Sequence, residues 1–134
     1  MNLKFIKIYN NLVKLTRNKE LYRGFKIQDT FSDRLIFFLL HFAFFLKVYK
    51  NDSNKKALQE IYDYIFRQME LSIREIGYGD QSINKKMKDY LNLFYGMIDK
   101  IHNWDDLNNE FRAKLLVEFL DNDVNIVYLV NYFE

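Results

Sequence analysis

The sequence predicts an all-α protein, a single compact bundle of about five or six helices around one central apolar helix. Three observations carry this expectation. There is no proline in 134 residues, so nothing interrupts long helices. Apolar residues recur at three-or-four spacing along most of the chain. With 49% hydrophobic residues there is enough apolar surface to fill one core, and the length suits one domain over residues 1–134.

The first helix is expected over Leu3–Thr16, where Phe5, Ile8, Tyr9, Leu12 and Leu15 form an apolar face and Lys4, Lys7, Lys14 and Arg17 line much of the rest. LYRGFKIQDT, from Leu21 to Thr30, carries Gly24 and a polar end and is expected to be a turn or short helix, with Thr30 or Ser32 as N-cap of the next element. The second helix, about Asp33 to Tyr49, is apolar on nearly every side from Leu35 to Leu46, which predicts a central position with neighbours around its circumference. That run is shorter than the roughly 20 residues a membrane span requires.

A polar loop, Asn51 to Lys56, offers Asp52 or Ser53 to cap the third helix, whose stripe Leu58, Ile61, Tyr62, Ile65, Phe66, Met69 and Ile73 extends to about Ile76. Gly77 stands where a left-handed C-terminal cap belongs. Asp80 or Ser82 can begin the fourth helix, with its stripe Ile83, Met87, Tyr90, Leu91, Phe94, Ile98 and Ile101, and so short a connection makes the two helices neighbours. After a break over Asn103 to Asn108, a fifth helix is expected from Leu107 to Leu120 with Phe111, Leu115, Leu116 and Phe119 on one face. The tail VNIVYLVNYF fits helix or strand by periodicity and is assigned as helix.

Several function classes are excluded or weakened by composition. A net charge of +2 without clustering argues against nucleic acid, and the absence of cysteine removes disulfides and thiolate chemistry. His41 and His102 lack a third ligand at a recognisable spacing, so no metal and no cofactor is expected; His41, on the apolar helix, should be a neutral imidazole bonded to a backbone carbonyl or a tyrosine. No nucleophile elbow or dinucleotide fingerprint is present, so no catalytic residue is assigned and the protein is expected not to be an enzyme. The N-terminus has neither the apolar stretch nor the cleavage site of a signal peptide, and the protein is expected to begin near Met1.

The junction between the third and fourth helices concentrates charge. Arg74 and Glu75 close one helix, and Lys85, Lys86 and Lys88 open the next, where positive charge opposes the helix dipole. Either Glu75 and Asp80 neutralise these lysines and pin the turn, or the lysines face an acidic partner or lipid headgroup. The basic first helix has a similar pair of explanations, lying on an anionic membrane or covering the core with a charged outer face. With 18% aromatic residues, either the core is aromatic-rich, the commoner outcome for any single ring, or some aromatic surface serves a partner or membrane.

Three blocks, LYRGFKIQDTF followed by DRLIFFLLHF, MELSIREIGYGD and INKKMKDYLNLFYG, make the chain resemble the ubiquinol-cytochrome c reductase assembly chaperone family, over about Leu21 to Ile101. Residues 1–20 then form a basic N-terminal helix and residues 102–134 the C-terminal helices. The resemblance implies a helical, non-enzymatic chaperone that binds newly made cytochrome b and assists assembly of the respiratory complex at the inner membrane. Mitochondrial relatives work with a small partner subunit and near the ribosome. Without their N-terminal targeting extension this chain looks like a bacterial form, expected in the cytoplasm and peripheral to the inner membrane. The resemblance places weight on Tyr22, Phe25, Asp29, Thr30, Phe31, Arg34 and His41. It also falls on Arg74, Glu75, Gly77, Gly79, Asp80, Lys85, Lys86, Lys88, Phe94, Tyr95 and Gly96.

A client with transmembrane helices needs a temporary apolar surface, so a groove between helices two, three and four is expected to receive it, with Tyr22, Phe31, Phe94 and Tyr95 as aromatic contacts. Arg34, Arg74 and Lys85 are expected at the rim, with Glu75, Asp80, Lys86 and Lys88 completing the partner surface and Gly77, Gly79 and Gly96 shaping turns. The rival is a membrane-surface adaptor or interaction module without a cytochrome client.

Overall fold

The computed structural model describes residues 3–23, 31–50, 54–77, 79–120 and 125–133. Six α-helices fill most of them: α1 (Leu3–Thr16), α2 (Phe31–Tyr49), α3 (Lys55–Glu75), α4 (Asp80–Ile101), α5 (Asn109–Leu120) and α6 (Ile126–Tyr132). Short 3₁₀ turns follow α1 (Lys19–Tyr22) and α4 (Trp104–Asp106). No strand occurs among the described residues. The expected caps at Thr30, Asp52 and Ser53, the turn at Gly24, and Phe25, Asp29 and Tyr78 lie outside them; the nearest described residue before α3 is Asn54, and Ser32 falls within α2.

The apolar run predicted to be central is central. Leu35, Phe37, Phe38, Leu39, Leu40, Phe42 and Ala43 are all buried, and α2 packs against α1, α4 and α5. A helix buried over consecutive residues must be covered on every side, because each step along it turns by about 100°. Facing it, α3 buries Ile61, Ile65, Phe66, Met69 and Ile73, and α4 buries Ile83, Phe94, Met97 and Ile101. Gly77 adopts φ +101° after α3, a conformation that L side chains rarely enter, and its N–H donates to the Arg74 carbonyl at 3.0 Å.

Two faces differ from expectation. Leu15, placed on the inner face of α1, is 48% exposed, and Thr16 is buried instead, its hydroxyl donating to the Leu12 carbonyl at 2.8 Å. In α5 the exposed residue is Phe111 and the buried one Arg112, whose guanidinium lies 5.2 Å from the centre of the Trp104 ring and whose Nε–H donates to the Trp104 carbonyl at 3.0 Å. Buried Trp104, at the start of the 3₁₀ turn, supplies both a π face and an acceptor, which makes an arginine the better inward residue.

His41 ties α2 to α6. Its Nδ1 lies 2.7 Å from the Phe37 carbonyl and its Nε2 2.7 Å from the Tyr132 hydroxyl. A carbonyl only accepts, so Nδ1 carries the proton and Nε2 accepts from Tyr132. Burial holds the imidazole below its ordinary pKa, against the opposing effect of the Phe37 bond.

Candidate functional site

Two clefts among the described residues bear on the site. The first lies between α2, α3 and α4, has a volume of about 460 Å³, and is floored by Ala43, Leu46, Leu58 and Ile98. Tyr62 and Tyr95 stand at its wall with their hydroxyls 2.9 Å apart. Lys47, Lys50 and Lys55 gather where α2 finishes and α3 begins, and His102, just past the end of α4, also lines the cleft. Lys47 bonds the Asp105 carboxylate at 2.6 Å, and this contact holds Asp105 below the usual carboxylate range. Tyr62 is pushed above the ordinary phenol value, first by burial and then by the Tyr95 hydroxyl, so it stays a neutral hydrogen-bonding group. The first cleft is therefore an apolar trough with a cationic end and a neutral polar wall.

A second cleft, of about 450 Å³, separates α1 from α2 and α3. Its apolar lining includes Val13, Leu35, Phe38, Ile65 and Met69, while Arg17, Arg34 and Glu75 bring charge to it. Ion pairing at the nearby junction runs along α3: Arg74 approaches Glu70 at 3.4 Å.

The sequence-predicted residues are distributed unevenly over these surfaces. Tyr95 is 55% exposed and lines the first cleft, as expected of a contact residue in a groove between α2, α3 and α4. Phe94, its neighbour, is fully buried: its ring stacks on Phe42 at 5.2 Å and meets Phe66 at 5.3 Å, so its surface is spent on the core. Tyr22 is likewise buried, packing on Phe37 at 5.0 Å while its hydroxyl donates to the Thr16 carbonyl at 2.7 Å and ties the 3₁₀ turn to the end of α1. Neither offers a free aromatic face.

Arg34 and Glu75 border the second cleft instead of the first. Lys85 and Lys88 are exposed and Lys86 half-buried at the start of α4; Lys88 precedes Tyr95 by seven residues, about 10 Å along the helix, so the triplet stands apart from the groove. Gly79 precedes the first turn of α4, and Gly96 lies inside α4 rather than at a turn, with nothing within 4 Å of where a Cβ would sit. The side chains of Phe31 and Asp80 are outside the described residues.

Missed by the sequence reading were Lys47, Lys50, Lys55, Tyr62 and His102, which only the packing of three helices brings together. Three of them could have been noticed as lysines bracketing the loop after α2 in KVYKNDSNKK. Among the described residues, no group of His, Asp and Glu converges to hold a metal ion, and no helix is long and apolar enough to cross a membrane.

A family model described as ubiquinol-cytochrome C chaperone matches residues 23–116, which span both clefts' α2 and α3 walls, the Gly77 turn and all of α4. The chain belongs to the ubiquinol-cytochrome C chaperone family. No curated protein and no solved structure matches it. For a ubiquinol-cytochrome C chaperone the expected occupant of a cleft is a client protein, and an apolar trough with a tyrosine wall suits that role. Outside the matched segment, α1 closes the second cleft and α6 completes the packing around His41.

Proposed function

We propose that this chaperone binds newly made cytochrome b and assists its assembly into the ubiquinol-cytochrome c reductase, working at the cytoplasmic side of the inner membrane without a catalytic step. The supporting observation is the trough between α2, α3 and α4: Leu46, Leu58 and Ile98 give it an apolar floor, Tyr62 and Tyr95 hydroxyls line its wall, and its lysines occupy one end. Such a surface takes the apolar side chains of a helix presented at three-or-four spacing. The lysine end favours a segment whose acidic or carbonyl-rich terminus points toward it, a preference that sets orientation more than affinity.

The test is capture of cytochrome b by the purified full-length protein in detergent, with Leu58→Asp and Tyr95→Ala variants whose folding is checked by circular dichroism. Leu58→Asp places a charge on the floor and should abolish capture; Tyr95→Ala should weaken it. Unchanged capture by both folded variants removes the trough from client binding. A deletion strain gives the cellular counterpart, and normal levels of assembled cytochrome b in it would refute the function.

A further inference from the structure

We propose that the end of α2 (Lys47–Lys50) and the start of α3 (Lys55 and Lys56), together one corner of the bundle, are this chaperone's membrane-contact site, and that it takes the surface of an anionic phospholipid bilayer. The inference rests on the preceding reading only for its biological setting; the site is argued from the corner itself.

The last turn of α2 and the residue after it read Lys47-Val48-Tyr49-Lys50, and α3 opens with Lys55-Lys56. Val48 is 71% exposed and Tyr49 58% exposed, two large apolar side chains standing in water beside one another. Lys50, Lys55 and Lys56 are exposed around them. The segment from Lys47 to Lys56 holds four lysines against Asp52, and with Lys47 engaged by Asp105 an excess of positive charge remains. The end of α2 is also held in shape. The Asn54 side-chain amide donates to the Tyr49 carbonyl, the Lys50 N–H donates to Leu46 at 2.9 Å, and the Tyr49 ring leans on Phe45 at 4.7 Å. A preorganised tip carrying an aliphatic and a tyrosine among lysines has both of the signals that stable attachment to anionic lipid needs, insertion and charge.

Among the described residues, the other exposed apolar side chains lack this combination: Tyr95 belongs to the trough wall, and Phe111 stands beside Lys114, which is paired with Glu110. The apolar face of α1 is already used: Leu12 is buried and Phe5, Ile8, Tyr9 and Val13 pack against the core, which leaves Leu15 alone beside Lys14 and Arg17. α6 exposes Val127 and Tyr128, but the chain from Asp121 to Glu134 contains acids and no lysine or arginine, so an anionic surface repels it. Leu71 and Ile76 are flanked by Glu70 and Glu75 as well as Arg74. Only the α2–α3 corner among these combines exposed apolar side chains with an excess of cations. Because Lys47, Lys50 and Lys55 also form the end of the client trough, a corner seated on the bilayer would bring that trough's mouth to the headgroup layer, where a membrane-bound client segment is found.

Full-length protein is sedimented with vesicles of phosphatidylcholine, with and without about one third phosphatidylglycerol, at low and high salt. Binding is expected only with the anionic lipid and should fall as salt rises. Lys50→Glu with Lys56→Glu should weaken it at least about 25-fold, roughly fivefold for each lysine charge lost. Val48→Ser with Tyr49→Ser should weaken it about tenfold. Reversal of Lys7 and Lys14 on α1 makes an equal charge change and should cost far less. In a Tyr49→Trp variant, brominated acyl chains should quench the new emission while leaving that of buried Trp104 in the parent unaffected.

Wild-type protein that ignores anionic vesicles overturns the proposal, as does a loss from α1 reversal equal to that from the corner. So does sedimentation without quenching at position 49, which would mean adsorption by charge alone. A requirement for the corner lysines in protein capture without any vesicle binding would assign the corner to an acidic partner instead. Client capture by Val48→Ser with Tyr49→Ser in detergent, where no bilayer is present, reads the trough separately from the corner.

Discussion

Phe94 and Tyr95 are consecutive on α4, yet replacing them should have very unequal consequences for stability. Phe94 has no exposed surface and contacts Phe42, Phe66 and Tyr62, with ring centres between 5.2 and 6.0 Å away. Phe94→Ala removes the buried ring and leaves a cavity between three helices, a change that costs about 3–5 kcal/mol. For 134 residues, an unfolding entropy of about 2.1 cal/mol/K per residue makes each kcal/mol worth about 3.5 °C, so the Tm should drop by about 10–18 °C. Tyr95 is 55% exposed and contributes one hydroxyl contact to Tyr62; Tyr95→Ala should cost no more than about 1 kcal/mol. Urea unfolding, followed by the fluorescence of the single Trp104, measures both. If Phe94→Ala stayed within about 1 kcal/mol of the parent, Phe94 would not be a core residue and the placement of α4 against α2 would be wrong. If Tyr95→Ala were the more damaging of the two, the trough wall would be structural and its use for client capture would fail.

His41 makes stability depend on pH. Its folded pKa is depressed by burial, so the unfolded chain binds a proton more readily; stability is full above about pH 6.5 and is lost as pH falls below it, by at most about 1.4 kcal/mol per pH unit. A His41→Gln variant should lack that acid-side slope in urea titrations, and an identical slope in both proteins would assign it elsewhere. Gly77→Ala should destabilise by about 1–3 kcal/mol through backbone strain alone, since φ is +101° and nothing lies within 4 Å of the new methyl. Gly96→Ala should instead stabilise by about 0.5–1 kcal/mol, because the helix there has room for a Cβ; thermal melts of the pair must move in opposite directions. Tyr22→Phe, which leaves the Thr16 carbonyl without its buried donor, should cost about 1–3 kcal/mol by the same assay.

The helices were legible because their determinants are local. Three-or-four spacing and the glycine at position 77 set α3 and α4, and an unbroken apolar run set α2. The inward direction of Phe94 was legible as well: it lies on the stripe with Ile83 and Ile101, while Tyr95 is turned about 100° away. Assigning both to a contact surface followed motif adjacency instead of helix geometry. Arg112 could not be foreseen, since its burial depends on a 3₁₀ turn presenting Trp104 across eight residues. The same limit applies to the trough, whose lysines and tyrosines become neighbours only once α2, α3 and α4 have packed. Charge at the Gly77 junction is contiguous in sequence and therefore legible there; the cationic end of the trough is divided between two helices and is not.

The contacts of α6 carry a cost during synthesis. Phe44 and His41 on α2 receive Phe133 at 4.7 and 5.3 Å, Tyr132 reaches back to His41, and Asn125 donates to the Glu20 carbonyl at 2.8 Å. At about 5–20 residues per second, the nascent chain has to wait several seconds between emergence of that part of α2 and arrival of its cover. The chaperone thus starts out with an aromatic strip open to water until α6 leaves the ribosome.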